Sequence, residues 1–269
     1  MDDPLLEELL AARRARTPCA VVTVASTKGS VPRESGSKMI VYADGRNSGT
    51  IGGGKFESLV MTDALGAIRE KKPVLKTYPL HEGDVCSFGA ICGGEVTIFI
   101  EPQILSEAIY LIGAGHCARA IAKLAIDCGL FVTVVDDRSE LHAELPKAVE
   151  KVSSSPPEFI RAREWKPDEA LVLVSRNYEI DRDALQAALG VRGAGYIGMI
   201  GSRRKVQRVF DELRERGLTN EALANVYAPL GLDIGADSPA EIAVSVVGEI
   251  LSVLRKRSGK HLRAQGPER

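Results

Sequence analysis

The segment Gly113-Ala114-Gly115-His116-Cys117-Ala118 constrains this chain more than any other, because the spacing G-x-G-x-x-A serves one particular local geometry. It follows a short apolar run, Ile109–Ile112, and opens a stretch of helical periodicity reaching about Cys128. The first glycine permits a tight strand-to-helix turn, the second lets the backbone approach a pyrophosphate, and Ala118 lets the helix lie close on the strand. The helix N-terminus then offers N–H donors and a positive dipole to the phosphates. On its own the spacing is weak evidence. Here a second apolar run, Leu130–Val135, ends in Asp136, 23 residues beyond Gly113, where an acid would bind a ribose hydroxyl. Strand, turn, helix, strand and acid in that order predict a Rossmann-type dinucleotide-binding domain. The candidate cofactor-binding residues are Gly113, Gly115, His116, Ala118, Asp136 and Arg138. Asp136 favours NAD, since a carboxylate repels a 2′-phosphate; Arg138 argues the other way, since an arginine accommodates one.

The remainder of this half keeps the same alternation. Ala170–Val174 and Tyr196–Ile200 read as buried strands, and Asp181–Leu189, Arg204–Arg216 and Pro239–Lys256 as helices. Such alternation implies a parallel sheet covered on both faces. After the Tyr196 strand comes Gly201-Ser202-Arg203-Arg204-Lys205. Ser202, Arg203 and Lys205 either hold an anion at that strand end or form a solvated helix start.

Before Pro102 the pattern is β-rich. Cys19–Ala25 is apolar and β-branched, Lys38–Tyr42 and Ser48–Ile51 flank Asp44-Gly45 as a hairpin, and Val74–Tyr78 and Glu95–Glu101 read as strands. A helix is expected over Pro4–Arg16 and another over about Lys55–Lys71. The chain therefore reads as α/β, with a smaller α+β domain over 1–105, a Rossmann domain over 106–257, and a polar tail over 258–269.

Gly49–Lys55, GTIGGGK, matches the first seven positions of a P-loop, but Phe56 stands where Mg²⁺ needs a hydroxyl, and a hairpin precedes it. An NTPase is excluded. Gly52, Gly53 and Gly54 either form an anion-binding nest of N–H groups or simply make a tight turn. Lys28, Arg33, Lys38 and Lys55 fall in or beside the loops of this half, which makes a pocket for a phosphate-bearing ligand worth considering. Cys92, between Ala90-Ile91 and Gly93-Gly94, is the candidate for a chemical role; a buried, inert thiol is the alternative. Cys86 ranks below it, Cys19 reads as a strand-core residue, and Cys117 and Cys128 read as packing. His81 is the only histidine of this half, too little for an acid–base set.

Lys+Arg total 35 against 36 Asp+Glu, which argues against nucleic acid as the main ligand. No apolar run approaches a membrane span, and the acidic start Met1-Asp2-Asp3 is unlike a signal peptide. Five cysteines at irregular spacing, without CxxC, suggest neither a disulfide framework nor structural zinc, so a reducing cytoplasm is expected.

Several segments resemble the xanthine dehydrogenase accessory protein family, XdhC/CoxI: Gly36-Ser37-Lys38-Met39, GTIGGGKFE at Gly49–Glu57, CGGEVTIFIEP at Cys92–Pro102, LIGAGHCA at Leu111–Ala118, VVDDR at Val134–Arg138, YIGMIGSRRK at Tyr196–Lys205, and APLGLDIGADSPAEIAVS at Ala228–Ser245. The resemblance runs from about Val21 to Leu254. It implies a protein that binds the molybdenum cofactor, shields it during sulfuration and assists its insertion into a molybdenum hydroxylase. On that resemblance Cys92 becomes a candidate molybdenum or sulfur contact. The apo-hydroxylase and a cysteine desulfurase are the implied partners, with a homodimer left open. Two other readings compete. An NAD-dependent oxidoreductase would need an acid or base near the nicotinamide, with Tyr178, His116 and Lys205 as candidates; a nucleotide-sensing regulator would need none.

Overall fold

The computed structural model describes residues 3–80 and 94–262, and divides the chain into two compact units, Met1–Leu105 and Ser106–Arg269. The first contains α1 (Asp3–Arg14), β1 (Cys19–Lys28), β2 (Lys38–Tyr42), β3 (Asn47–Gly49), α2 (Gly54–Glu70), β4 (Val74–Pro79) and β5 (Glu95–Gln103). The strands form one antiparallel sheet in the order β3-β2-β1-β5-β4. Alternation along each strand sorts its two faces. Ala20, Val22 and Val24 of β1, Met39 and Val41 of β2, and Val96, Ile98 and Ile100 of β5 pack with Phe56, Val60, Ala64 and Ala67 of α2. Cys19, Ile40 and Tyr42 meet Ala12, Leu5 and Leu9 of α1 on the other face.

The expected hairpin is present, closed at Asp44, whose Oδ1 accepts the N–H of Arg46 at 3.0 Å, and at Gly45, with φ +86°. Its second strand is Asn47–Gly49 rather than Ser48–Ile51, because Thr50 and Ile51 are drawn into the following turn by Glu57.

The second unit contains β6 (Ala108–Ile112), α3 (His116–Asp127), β7 (Phe131–Val135), β8 (Glu150–Val152), α4 (Pro156–Arg161), β9 (Glu169–Leu173), α5 (Tyr178–Gly190), β10 (Tyr196–Met199), α6 (Arg203–Glu215), α7 (Asn220–Leu223) and α8 (Pro239–Leu254). The strands run parallel in the order β10-β9-β6-β7-β8. Helices α3 and α8 cover one face, packing on Ile109, Leu111, Val132, Val134 and Val172. Helices α5 and α6 cover the other, on Ala108, Tyr110, Ile112, Leu171 and Leu173. Burial on both faces is why these strands read as unbroken apolar runs. The chain leaves β6 toward β7 on one side and returns to β9 on the other, so the crevice between the ends of β6 and β9 is the switch point where such sheets bind ligands. Among the described residues no helix is long and apolar enough to cross a membrane.

Candidate functional site

Gly113 directly follows β6 at that switch point. Its φ of +117° suits glycine alone, and a Cβ there would stand 2.6 Å from the Val174 carbonyl oxygen and 2.9 Å from the Ser175 Cα at the end of β9. Gly115 is a different case. Its φ of −72° is open to any residue, and a Cβ would meet nothing within 4 Å. The fold does not need glycine at 115, whereas a close-approaching ligand would. Gly115 also caps α3 without any side-chain hydrogen bond, so among the described residues the first-turn N–H groups of His116, Cys117 and Ala118 receive no acceptor from the N-cap side chain. By contrast α5, α6 and α8 are capped by Asn177, Ser202 and Ser238. Ala118 is fully buried in the α3–sheet contact, as close packing demands, and His116 is exposed.

Asp136 follows β7 and is only 4% exposed. Its Oδ2 accepts the Ala114 N–H at 2.8 Å and Arg138 Nη2 at 2.9 Å; its Oδ1 accepts the Arg138 N–H at 3.0 Å and Nε at 2.9 Å. Burial works against the charge, but the Arg138 guanidinium and the N–H groups of Arg138 and Ala114 outweigh it and bring the carboxyl down to about 2. The acid expected to read a ribose is thus already filled by four donors of its own chain. Arg176 grips Asp137 through two bonds of 2.9 and 3.1 Å beside it, and the hollow enclosed by Gly113, Asp136, Arg138, Ser175 and Arg176 measures only about 10 Å³.

Two residues of the Gly201–Lys205 segment, Ser202 and Lys205, are engaged within the chain. Ser202 Oγ accepts the Lys205 N–H at 3.3 Å as the cap of α6. Lys205 Nζ is bound to Asp181, a fully buried carboxylate whose other oxygen accepts the Ser175 N–H at 3.1 Å. Lys205 therefore neutralises the acid that anchors the end of β9. Arg203 stays exposed on the first turn of α6. Of the two other proton-transfer candidates, the Tyr178 hydroxyl accepts from Arg208, which also lies over its ring, and His116 stands at the start of α3.

In the first unit the triple-glycine turn is also accounted for from within. Glu57 Oε2 accepts Thr50 Oγ1 at 2.6 Å, the Ile51 N–H at 3.1 Å and the Gly53 N–H at 3.0 Å, while the Gly52 N–H goes to Thr50 Oγ1. Of the glycine N–H groups considered for an anion-binding nest, that of Gly53 is taken by the Glu57 carboxylate and that of Gly52 by the Thr50 hydroxyl. Gly52 has φ +139°, and a Cβ would stand 2.5 Å from Pro32 Cγ. Lys38 Nζ donates to Thr23 Oγ1 at 2.9 Å. Cys86, Cys92 and His81 lie outside the described residues. Cys19 is buried in the sheet as expected and burial raises its thiol; Cys128, expected to pack, is exposed as the C-cap of α3. Among the described residues no group of three His, Cys, Asp or Glu side chains could hold a metal.

Glu57 and Asp181 are the residues that reading the sequence missed. Each is an acid in the first turn of a helix, where an acid is ordinary for dipole reasons. Only three-dimensional proximity to distant N–H groups sets them apart.

A five-stranded parallel sheet wound on both sides, with an uncapped helix behind Gly113-Ala114-Gly115 at the switch point, defines a Rossmann-type domain. The chain belongs to the XdhC and CoxI family: the XdhC Rossmann domain matches residues 109–250, and the XdhC and CoxI family matches residues 12–79. It is 37% identical over 245 residues to "Uncharacterized protein YqeB" of Escherichia coli (strain K12), covering 90% of this chain and 44% of that protein. It is 32% identical over 160 residues to a probable xanthine dehydrogenase subunit of Bacillus subtilis (strain 168), covering 59% of this chain and 45% of that protein. The chain thus spans less than half the length of both relatives. A crystal structure described as a xanthine dehydrogenase from Bacillus halodurans superposes with a TM-score of 0.50 at 22% identity, covering 99% of this chain and 98% of that one, a likeness of fold.

Proposed function

We propose that this chain is an accessory protein of a xanthine dehydrogenase-type molybdenum hydroxylase. It carries the molybdenum cofactor as cargo, assists its sulfuration and delivers it to the apo-enzyme, with a cysteine desulfurase as sulfur source. The observation that carries this reading is family membership through both units, one matched over residues 12–79 and the other over 109–250. The Bacillus subtilis relative, named as a probable part of a xanthine dehydrogenase, supports the choice of partner.

The second unit, on the same proposal, binds an NAD-type nucleotide. The residues present fit such a ligand: Gly115 leaves open the space that a pyrophosphate needs, and among the described residues the first-turn N–H groups of α3 are not taken by an N-cap side chain. Gly113, Gly115 and the first turn of α3 would hold the pyrophosphate, and Asp136 the ribose once Arg138 has moved. A bound nicotinamide would supply hydride chemistry. Lys205, the cation nearest to that role in the sequence, is held by Asp181 instead.

The test is to purify the chain from a molybdenum-replete host, oxidise it and analyse the released pterin by fluorescence. Pterin in amounts comparable to the protein is expected. Its absence, together with steady NADH turnover on a small substrate, would replace the carrier with an oxidoreductase.

A further inference from the structure

A hollow of about 480 Å³ opens in the first unit between the start of α1, the end of the β1–β2 loop and the β2–β3 hairpin. That volume suits a small organic ligand. Two motifs separated along the chain, Gly36-Ser37-Lys38 and Gly49-Thr50, share its wall. The backbone fixes them there. The Gly36 N–H donates to the Val24 carbonyl and the Val24 N–H to the Ser37 carbonyl, both at 2.9 Å. Gly49, with φ +76°, lies so near β2 that a Cβ would stand 2.7 Å from the Lys38 carbonyl oxygen. The wall hydroxyls of Thr50 and Ser37 are tied from behind, to Glu57 at 2.6 Å and to the Glu34 carbonyl at 2.8 Å.

The charges in this hollow are unlike those in the second unit. There Arg138, Arg176 and Lys205 are each matched by an aspartate, Asp136, Asp137 and Asp181. Lys38 is half-buried and donates to the Thr23 hydroxyl, which leaves two ammonium N–H groups. Neither Lys38 nor Arg33 pairs with a carboxylate among the described residues. Glu8 on α1 is the one acid in the lining among the described residues, against these two cations, and Ser48 adds a hydroxyl. An ammonium, a guanidinium fork and a hydroxyl, arriving from three separate segments, suit the diverging oxygens of a tetrahedral oxyanion better than the two coplanar oxygens of a carboxylate.

We infer that this hollow seats the phosphoryl group of a small phosphorylated ligand, with Lys38 and Arg33 as its cations and Ser48 as its neutral donor. This deepens the carrier reading by giving the anionic end of the cargo a place, and rests on that reading only for the identity of the cargo.

The test uses the full chain carrying Gly115→Val, so that the Rossmann turn cannot take the probe, titrated calorimetrically with pyrophosphate and, separately, with acetate. One saturable pyrophosphate site per chain is expected, with acetate at least about tenfold weaker. Lys38→Met should weaken pyrophosphate about tenfold and Arg33→Met several-fold. Ser48→Asp, on a short edge strand, should abolish binding without lowering the thermal midpoint, and decides the matter if Lys38→Met does not fold. No saturable binding, binding indifferent to Ser48→Asp, or acetate as good as pyrophosphate would overturn the assignment. Pyrophosphate binding by a chain that never carries pterin rejects the cargo and keeps the seat. Pterin on a chain that ignores pyrophosphate does the reverse.

Discussion

Asp136 is ringed by four N–H donors from its own chain, and this changes what a nucleotide must do to reach it. A ribose can use the carboxylate only after Arg138 lets go. Removing that competitor should therefore help: Arg138→Ala is expected to tighten NAD(H) about fivefold in calorimetric titration, a gain comparable to one charge-assisted hydrogen bond no longer displaced. Wild type should still prefer NAD(H) to NADP(H) by at least about tenfold, because the carboxylate remains beside any 2′-phosphate. If Arg138→Ala instead weakens NADP(H) and leaves NAD(H) unchanged, the arginine reads the phosphate. The same pairing makes a prediction about pH. The Asp136 carboxyl is depressed from 3.8 to about 2, so its stabilisation is complete above about pH 4 and fades as pH falls through 2. Urea unfolding of wild type and Asp136→Asn should diverge by about 2 kcal/mol more at pH 6 than at pH 2. A difference independent of pH would mean that the ion pair does not contribute. The two loop glycines should separate as their surroundings dictate. Gly115→Val should abolish nucleotide binding at near-normal melting temperature, since its Cβ enters open space. Gly113→Ala should cost about 2–4 kcal/mol, being strained at φ +117° and pressed on the end of β9.

At the level of elements, the ends of the helices explain which parts of the site were legible. The strand–turn–helix unit of β6, α3 and β7 announces itself because glycine spacing, apolar runs and a terminal acid coincide. Strand β8 does not, since Glu150 and Lys151 are exposed on a three-residue edge and leave no apolar pattern. Helix α4 is disguised by Pro156-Pro157, which reads as a breaker but occupies the first helical positions, where a missing N–H costs nothing. Lys205 shows what the sequence leaves open. A lysine after a strand and a glycine suggests an anion, yet α6 directs it onto Asp181 in the first turn of α5, and that partner lies 24 residues away along the chain. The consequence is a stability effect rather than a binding one. Lys205→Met leaves a fully buried carboxylate without its cation and should destabilise the second unit by about 3–5 kcal/mol in urea unfolding. NAD(H) affinity of the remaining folded protein should change less than about twofold. A large loss of affinity at unchanged stability would restore Lys205 as an anion ligand.

Across the whole molecule the chemistry divides between units that have separate cores and separate sheets. The second offers donors at a helix start and a buried carboxylate held by Arg138; the first offers two cations without a carboxylate partner among the described residues, around a hollow of small-ligand size. Neither set resembles the other, so each should be removable alone. Gly115→Val is expected to lose NAD(H) while keeping its pterin, and Lys38→Met to lose most of its pterin while binding NAD(H) as wild type does. Cys92 belongs to this comparison through the chemistry of its thiol: a thiolate is a soft ligand and a nucleophile, and nearby cations raise its reactive fraction. Cys92→Ser should keep both ligands yet lower the delivery of sulfurated, active cofactor far more than Cys86→Ser does. The measurement is reconstitution of an apo molybdenum hydroxylase by each purified variant, scored for bound pterin, bound nucleotide and recovered activity. Three outcomes separate the roles. Recovery by Gly115→Val equal to wild type would make the nucleotide dispensable for delivery. Full recovery by Cys92→Ser would reduce that cysteine to packing. Parallel loss of pterin and nucleotide in Lys38→Met and Gly115→Val alike would refute the division itself, because one ligand would then have to depend on residues of both units.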